Sequence, residues 1–251
     1  MTPLAGSFDT LVSDLRLAPA KSSSIETHGT TVLALRFNQG VLIFADRRAT
    51  MGNLIMFEQA EKVMSLDDST VVAISGSFAR SVEICRFLKH SFKYYRRAML
   101  QELTLEGKLA EVSRALAGNV EMAMNGIGVF VPILAAYDKT TEQFKLYFFD
   151  GAGAKFENNE YACAGSGSER IRGIFEYLRR TEGSFESRSI EKVLENGLQM
   201  LDIAATLDSA TGGFSRIDPV VRVLTKDGNN PIDEKILRKS IEKVLSGAKA
   251  L

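Results

Sequence analysis

Gly29-Thr30-Thr31-Val32-Leu33-Ala34-Leu35-Arg36-Phe37-Asn38-Gln39-Gly40-Val41-Leu42-Ile43-Phe44-Ala45-Asp46 is the stretch from which the rest of the chain can be read. Thr31 to Phe37 and Val41 to Ala45 are β-branched and apolar runs divided by turn residues, which predicts two strands. A Gly-Thr pair stands at the entry to the first. Cutting the chain between Gly29 and Thr30 would leave a hydroxyl and a free amine on one residue, and an N-terminal threonine can act as its own nucleophile and base. Asp46 and Lys62 follow at the ends of two more strand-like runs. Taken singly, these are an ordinary turn with a β-former, a strand-end acid and a solvated edge charge.

Outward from this stretch, Thr70 to Ser75 reads as another strand, entered through the turn Asp67-Asp68-Ser69. Val82, Cys85, Leu88, Phe92, Tyr95 and Met99 recur at spacings of three and four and predict a helix from Phe78 to about Leu100. Leu109, Val112, Leu116 and Val120 predict a second, from about Glu106 to Met124. Strand signals return over Gly128 to Tyr137, Phe144 to Phe149 and Tyr161 to Ala164. Two further helices follow, one carrying Ile171, Ile174, Phe175 and Leu178, the other Ile190, Val193, Leu194, Leu198 and Leu201. Pro219 to Leu224 reads as a late strand and Ile232 to Leu245 as a terminal helix. Strands and helices come in blocks rather than in strict alternation, which points to an α+β fold: two antiparallel sheets face to face with helix pairs outside.

Composition narrows the function classes. The 251 residues are 45% hydrophobic and 25% charged, ordinary values for a globular chain with a sizeable core. Thirty-one basic residues balance thirty-one acidic ones, so no global field draws nucleic acid or an anionic membrane. No run approaches the roughly 18 uninterrupted apolar residues of a membrane span, and residues 1 to 29 lack the basic start and apolar centre of a signal peptide. Cys85 and Cys163 read as buried thiols of a reducing cytoplasm, with no second cysteine near either. Residues 1 to 29, rich in Ser, Thr, Ala and Pro, read as a weakly ordered leader with a short amphipathic patch at Leu11, Val12, Leu15 and Leu17.

The landmarks together are more specific than any one of them. Gly29-Thr30-Thr31-Val32, Ala45-Asp46-Arg47-Arg48-Ala49-Thr50, Lys62, and Ser75-Gly76-Ser77, in this order and spacing, resemble a proteasome β subunit. Gly165-Ser166-Gly167-Ser168 and Asp208-Ser209-Ala210-Thr211-Gly212-Gly213 resemble that family's two later signatures in the form seen in bacterial 20S proteasomes. The resemblance covers nearly the whole chain after residue 29.

It implies a four-layer αββα sandwich of the N-terminal nucleophile hydrolase class over residues 30–251, and a propeptide at residues 1–29 removed by autocatalysis at the Gly29–Thr30 bond. It implies peptide-bond hydrolysis without metal or cofactor, inside a barrel of stacked heptameric rings with α-subunit rings and a ring ATPase unfoldase as partners. Thr30 would be the nucleophile and its freed amine the base. Lys62 would lower the proton affinity of that amine and steady charge on the Thr30 oxygen, held charged by Asp46. The Gly76 N–H would face the oxyanion, and Ser166, Asp208 and Thr211 would orient the amine and its water. The commonest pattern has serine at the Thr211 position, and threonine keeps the hydroxyl.

The first specificity pocket would be lined by Ala49, Ala60, Met64, Ile74 and Phe78, all apolar, which predicts cleavage after hydrophobic residues. Thr50 would offer main-chain hydrogen bonds to an extended peptide. Three other readings are a β-like ring peptidase without α subunits, an unprocessed non-catalytic ring subunit, and a small-molecule amidase of the same broad fold. Retention of Thr30, Asp46 and Lys62 weighs against the second, and the length of the resemblance against the third.

Overall fold

The computed structural model describes residues 29–126, 128–214 and 217–249. Of the leader expected at residues 1–29, all but Gly29 lies outside them. In chain order the elements are β1 (Thr31–Phe37), β2 (Gly40–Ala45), a short pair β3 (Ala49–Met51) and β4 (Leu54–Phe57), β5 (Val63–Asp67) and β6 (Thr70–Ala73). Helices α1 (Phe78–Met99), α2 (Leu105–Ala117) and α3 (Val120–Met124) come next. Then follow β7 (Ile133–Asp138), β8 (Gln143–Phe149), β9 (Lys155–Asn158), β10 (Tyr161–Gly165), α4 (Ser168–Glu182) and α5 (Ile190–Leu207). The chain closes with β11 (Val220–Thr225), β12 (Gly228–Pro231) and α6 (Glu234–Lys249).

Two five-stranded antiparallel sheets form, in the orders β10-β1-β2-β11-β12 and β5-β6-β7-β8-β9. The two-residue period of a strand divides their side chains into three buried layers. On β1 and β2, Leu33, Leu35, Phe37, Leu42 and Phe44 join Ile171, Phe175, Leu198 and Leu201 of α4 and α5 and Leu237 and Ile241 of α6. The alternate residues Val32, Ala34, Val41, Ile43 and Ala45 face the second sheet and meet Val71, Ala73, Ile133, Ala135 and Leu146. The far face of that sheet, with Val72, Leu134, Ala136, Tyr147 and Phe149, takes Cys85, Leu88 and Phe92 of α1 and Leu109, Val112 and Leu116 of α2. This is the four-layer αββα sandwich.

Several local readings change. The helix expected from Glu106 to Met124 is broken at Gly118-Asn119, where the buried Asn119 side chain leaves the helical pattern to donate to the Gly128 carbonyl at 2.7 Å and accept from Arg80 Nε at 2.7 Å. The strand expected from Gly128 begins only at Ile133, because Gly128 has a left-handed φ of 74° and Pro132 offers no N–H to a ladder. Before it lies one isolated bridge, Gly76 to Phe130. The stripe of α1 ends sooner than its periodicity, and Met99 is exposed. Lys62 stands just before β5 rather than at the end of a strand.

Candidate active site

Register brings the landmarks together. On β1, Thr31 lies across from Gly165 of β10, and Val32 is paired to Ala164 on one side and to Ala45 of β2 on the other. Thr30, Asp46 and Ser166 therefore sit one residue beyond the ends of three adjacent strands. Lys62 comes from the second sheet: it precedes β5, and its carbonyl accepts the Ile74 N–H at 2.8 Å just past β6. Gly76, two residues further on, has a φ of 98°. A Cβ there would lie 2.2 Å from the Val129 carbonyl oxygen, so only glycine lets the chain turn in that space.

Asp46 is 1% exposed and its carboxylate takes four donors. Oδ1 accepts Lys62 Nζ at 2.7 Å and the Thr31 N–H at 2.8 Å; Oδ2 accepts the N–H groups of Arg48 and Gly212, each at 2.9 Å. A buried charge without partners costs several kcal/mol, roughly, and these four bonds offset that cost. Lys62, also 1% exposed, gives a second bond to the Arg48 carbonyl at 2.5 Å. Burial holds the Lys62 ammonium below the ordinary lysine range, against the opposing pull of Asp46.

A second connected group lies on the other side of Thr30. The Thr30 N–H points to Ser166 Oγ at 3.4 Å, and Ser166 donates to Asp208 Oδ2 at 2.6 Å. Thr211 donates to the same Asp208 oxygen at 2.6 Å. Asp208 is set there by α5, whose first turn is capped by Ser189 and whose last residue it follows. The Thr30 hydroxyl donates to the Gly29 carbonyl oxygen at 2.7 Å, and the Gly29 N–H donates to Thr50 Oγ1 at 2.9 Å. Gly29 has no room for a side chain, since a Cβ would lie 1.8 Å from the Ala210 Cβ.

Asp46 with Lys62, and Thr30 with Ser166, Asp208 and Thr211, thus form two hydrogen-bonded groups, and Gly76 lines the same cleft of about 570 Å³ as Gly29, Ser166 and Asp208. Among the described residues, the hydrogen bonds of Lys62 go to Asp46 and Arg48 and none goes to the Thr30 hydroxyl. Ala49, Ala60, Met64, Ile74 and Phe78 are not in the lining of that cleft. Ala60 and Ile74 are buried, and Met64 and Phe78 pack against the layer between the second sheet and α1. Thr50 is buried beside Gly29.

Residue reasoning missed the parts played by main-chain groups. Arg48 contributes its N–H and its carbonyl, Gly212 its N–H, and Ala210 a wall. Their only sequence signal is adjacency to Asp46 and Thr211. Among the described residues, no helix is long and apolar enough to cross a membrane.

A sequence model of the Proteasome family, described as proteasome subunit, matches residues 26–217. A proteasome subunit beta of Streptomyces griseus subsp. griseus is 35% identical over 240 residues, 91% of this chain and 83% of that protein. One from Jonesia denitrificans is 32% identical over 230 residues, covering 90% and 71%. A proteasome subunit beta 1 of Streptomyces avermitilis is 37% identical over 213 residues, covering 82% and 73%. The family match spans β1 to β10 and every strand end that meets at Thr30, and the chain belongs to the proteasome subunit family.

Proposed function

We propose that this chain is a threonine endopeptidase, the β subunit of a 20S-type proteasome, with Thr30 as its nucleophile after loss of residues 1–29. The observation that carries the reading is the placement of Thr30: its hydroxyl reaches the Gly29 carbonyl at 2.7 Å while its nitrogen adjoins the Ser166–Asp208 pair. From this neighbourhood Oγ, turning from the carbonyl oxygen to the carbon, attacks Gly29 C, the C–N bond breaks, and the hydroxyl proton passes to the Thr30 nitrogen. An ester joins Gly29 to the threonine oxygen. Water then hydrolyses it, releasing a carboxylate at Gly29 and a free amine at Thr30.

That amine has a reference pKa of about 7.7 to 8.0, so near neutrality it can take the hydroxyl proton when Oγ attacks a substrate carbonyl. Lys62 lowers the amine's proton affinity by like-charge repulsion and steadies negative charge on Oγ, while Asp46 keeps Lys62 in place. The Gly76 N–H donates to the oxyanion. As the scissile C–N bond breaks, the ammonium gives that proton to the leaving amine, and the amine so freed deprotonates the water that hydrolyses the acyl-enzyme. Ser166, Asp208 and Thr211 hold that amine and water.

Cleavage after hydrophobic residues is the preference we assign from the resemblance, which gives the uncharged Ala49, Ala60, Met64, Ile74 and Phe78 to the first specificity pocket although they lie outside the cleft beside Gly76. Thr50 pairs with the substrate main chain. The assembly we propose is a homo-heptameric β ring, doubled and flanked by α-subunit rings, fed in the cytoplasm by a ring ATPase. Thr30→Ala is the test: peptide hydrolysis and leader removal should both vanish while the chain stays folded. Wild-type hydrolysis by that variant would overturn the reading.

A further inference from the structure

We propose that Thr31 is a positioning residue of this active site, joining the Asp46–Lys62 pair to the Ser166–Asp208–Thr211 group. The inference rests on the reading of Thr30 as nucleophile. Thr31 is fully buried, and its N–H donates at 2.8 Å to Asp46 Oδ1, the oxygen that also takes Lys62 Nζ. Its hydroxyl lies 2.6 Å from Thr211 Oγ1. One residue thus contacts both halves of the site.

Proton accounting gives the direction of the second bond. A carboxylate only accepts, so the single hydroxyl proton of Thr211 goes to Asp208 Oδ2 at 2.6 Å. Thr31 must then donate to Thr211. The Ser166 proton goes to the same Asp208 oxygen at 2.6 Å, which leaves a Ser166 lone pair for the Thr30 N–H at 3.4 Å. Two chains of donors thus converge on Asp208, Thr31 through Thr211 from one side and the Thr30 nitrogen through Ser166 from the other.

Two further observations separate this from strand formation. On the face of β1 that carries Thr31, the following residues are Leu33, Leu35 and Phe37, all in the apolar helix-facing layer, so a β-former at position 31 has no packing need for a hydroxyl. The space is also shaped about the two oxygens: a Cβ on Gly167 would lie 2.2 Å from Thr31 Oγ1 and 2.8 Å from Thr211 Oγ1. The second glycine of Gly165-Ser166-Gly167-Ser168 is therefore required by this hydroxyl pair.

By donating to Thr211, Thr31 polarises the Thr211 O–H toward Asp208 and draws negative charge from the carboxylate that faces the Thr30 amine through Ser166. The charged groups around that amine are Asp46 after β2, Arg48 before β3, Lys62 before β5 and Asp208 after α5, with Glu169 and Arg172 of α4 lining the same cleft. None is altered by Thr31→Val, which keeps the shape and removes the proton. Asp208 then becomes more negative and favours the ammonium form of Thr30.

The test measures pH profiles of peptide hydrolysis by the assembled, processed particle. Thr31→Val should lower kcat by about three- to tenfold with KM unchanged, and move the acid limb to higher pH. Thr31→Ser should restore both. A Thr31→Val particle with the wild-type limb and kcat would overturn the inference, as would a Thr31→Ser particle impaired as far as Thr31→Val. If Thr31→Val does not assemble, Thr31→Ala must show the same shift of the limb, and a wild-type limb there would also overturn it. Activity in Thr30→Ala would instead remove the nucleophile reading, whatever Thr31 does.

Discussion

At the residue scale the site is governed by one buried ion pair. Lys62 and Asp46 are both nearly inaccessible to solvent, and each is surrounded by main-chain partners as well as by the other. Breaking such a pair leaves an uncompensated buried charge and costs about 3–5 kcal/mol. Lys62→Ala should therefore lower stability as well as abolish hydrolysis, seen as an earlier urea midpoint together with loss of peptide turnover. The pair also sets a pH limit. Activity should rise as the Thr30 amine loses its proton and fall again as Lys62 loses its own; because burial lowers the Lys62 pKa, the alkaline limb should lie below the ordinary lysine value of 10.5. A single rising limb that stays flat to that pH would contradict the role given to charged Lys62.

The element scale shows what periodicity and propensity can carry. β1, β2 and the helices α1, α4, α5 and α6 were legible because their apolar residues recur at two or at three and four over long runs. The hairpin β3–β4 and the strands β9 and β12 were not. They are three or four residues long, and Met51, Leu54, Ile55, Met56 and Phe57 of the hairpin are exposed, so no alternation marks a buried face. The break between α2 and α3 was hidden for another reason. It is made by Asn119 bonding to Gly128 and Arg80, contacts that local spacing cannot register. Asn119→Ala strands the Gly128 carbonyl and should cost about 1–3 kcal/mol, read from chemical denaturation. A cost within error would show that the break depends on Gly118 alone.

In the site itself, Thr30, Asp46, Lys62, Ser166, Asp208 and Thr211 were legible through the resemblance to proteasome β subunits, since each lies in one of its landmark motifs. Arg48, Gly212 and Ala210 could not, since they act through N–H, carbonyl and methyl groups that every residue or many residues own. Thr31 was hidden by its own strand propensity. Its hydroxyl matters through Thr211, 180 positions away in the chain.

At the scale of the whole molecule, the site depends on how closely the two sheets approach, because Asp46 comes from one and Lys62 from the other. Small side chains govern that approach. Ala34, Ala45, Ala73, Ala135, Ala162 and Ala164 all lie in the layer between the sheets. Ala135→Leu would overpack this layer and should cost about 1–3 kcal/mol. It should also lower turnover, since separating the sheets lengthens the Lys62–Asp46 contact; denaturation and peptide hydrolysis on the same preparation would check both effects.

On the proposed reading, this sandwich turns Thr30 into a chain terminus. Intact mass and N-terminal sequencing of the assembled protein, taken on the sample that cleaves peptides, test it most directly. The mature chain is expected to begin at Thr30. An active particle whose subunits still carry residues 1–29 would contradict it.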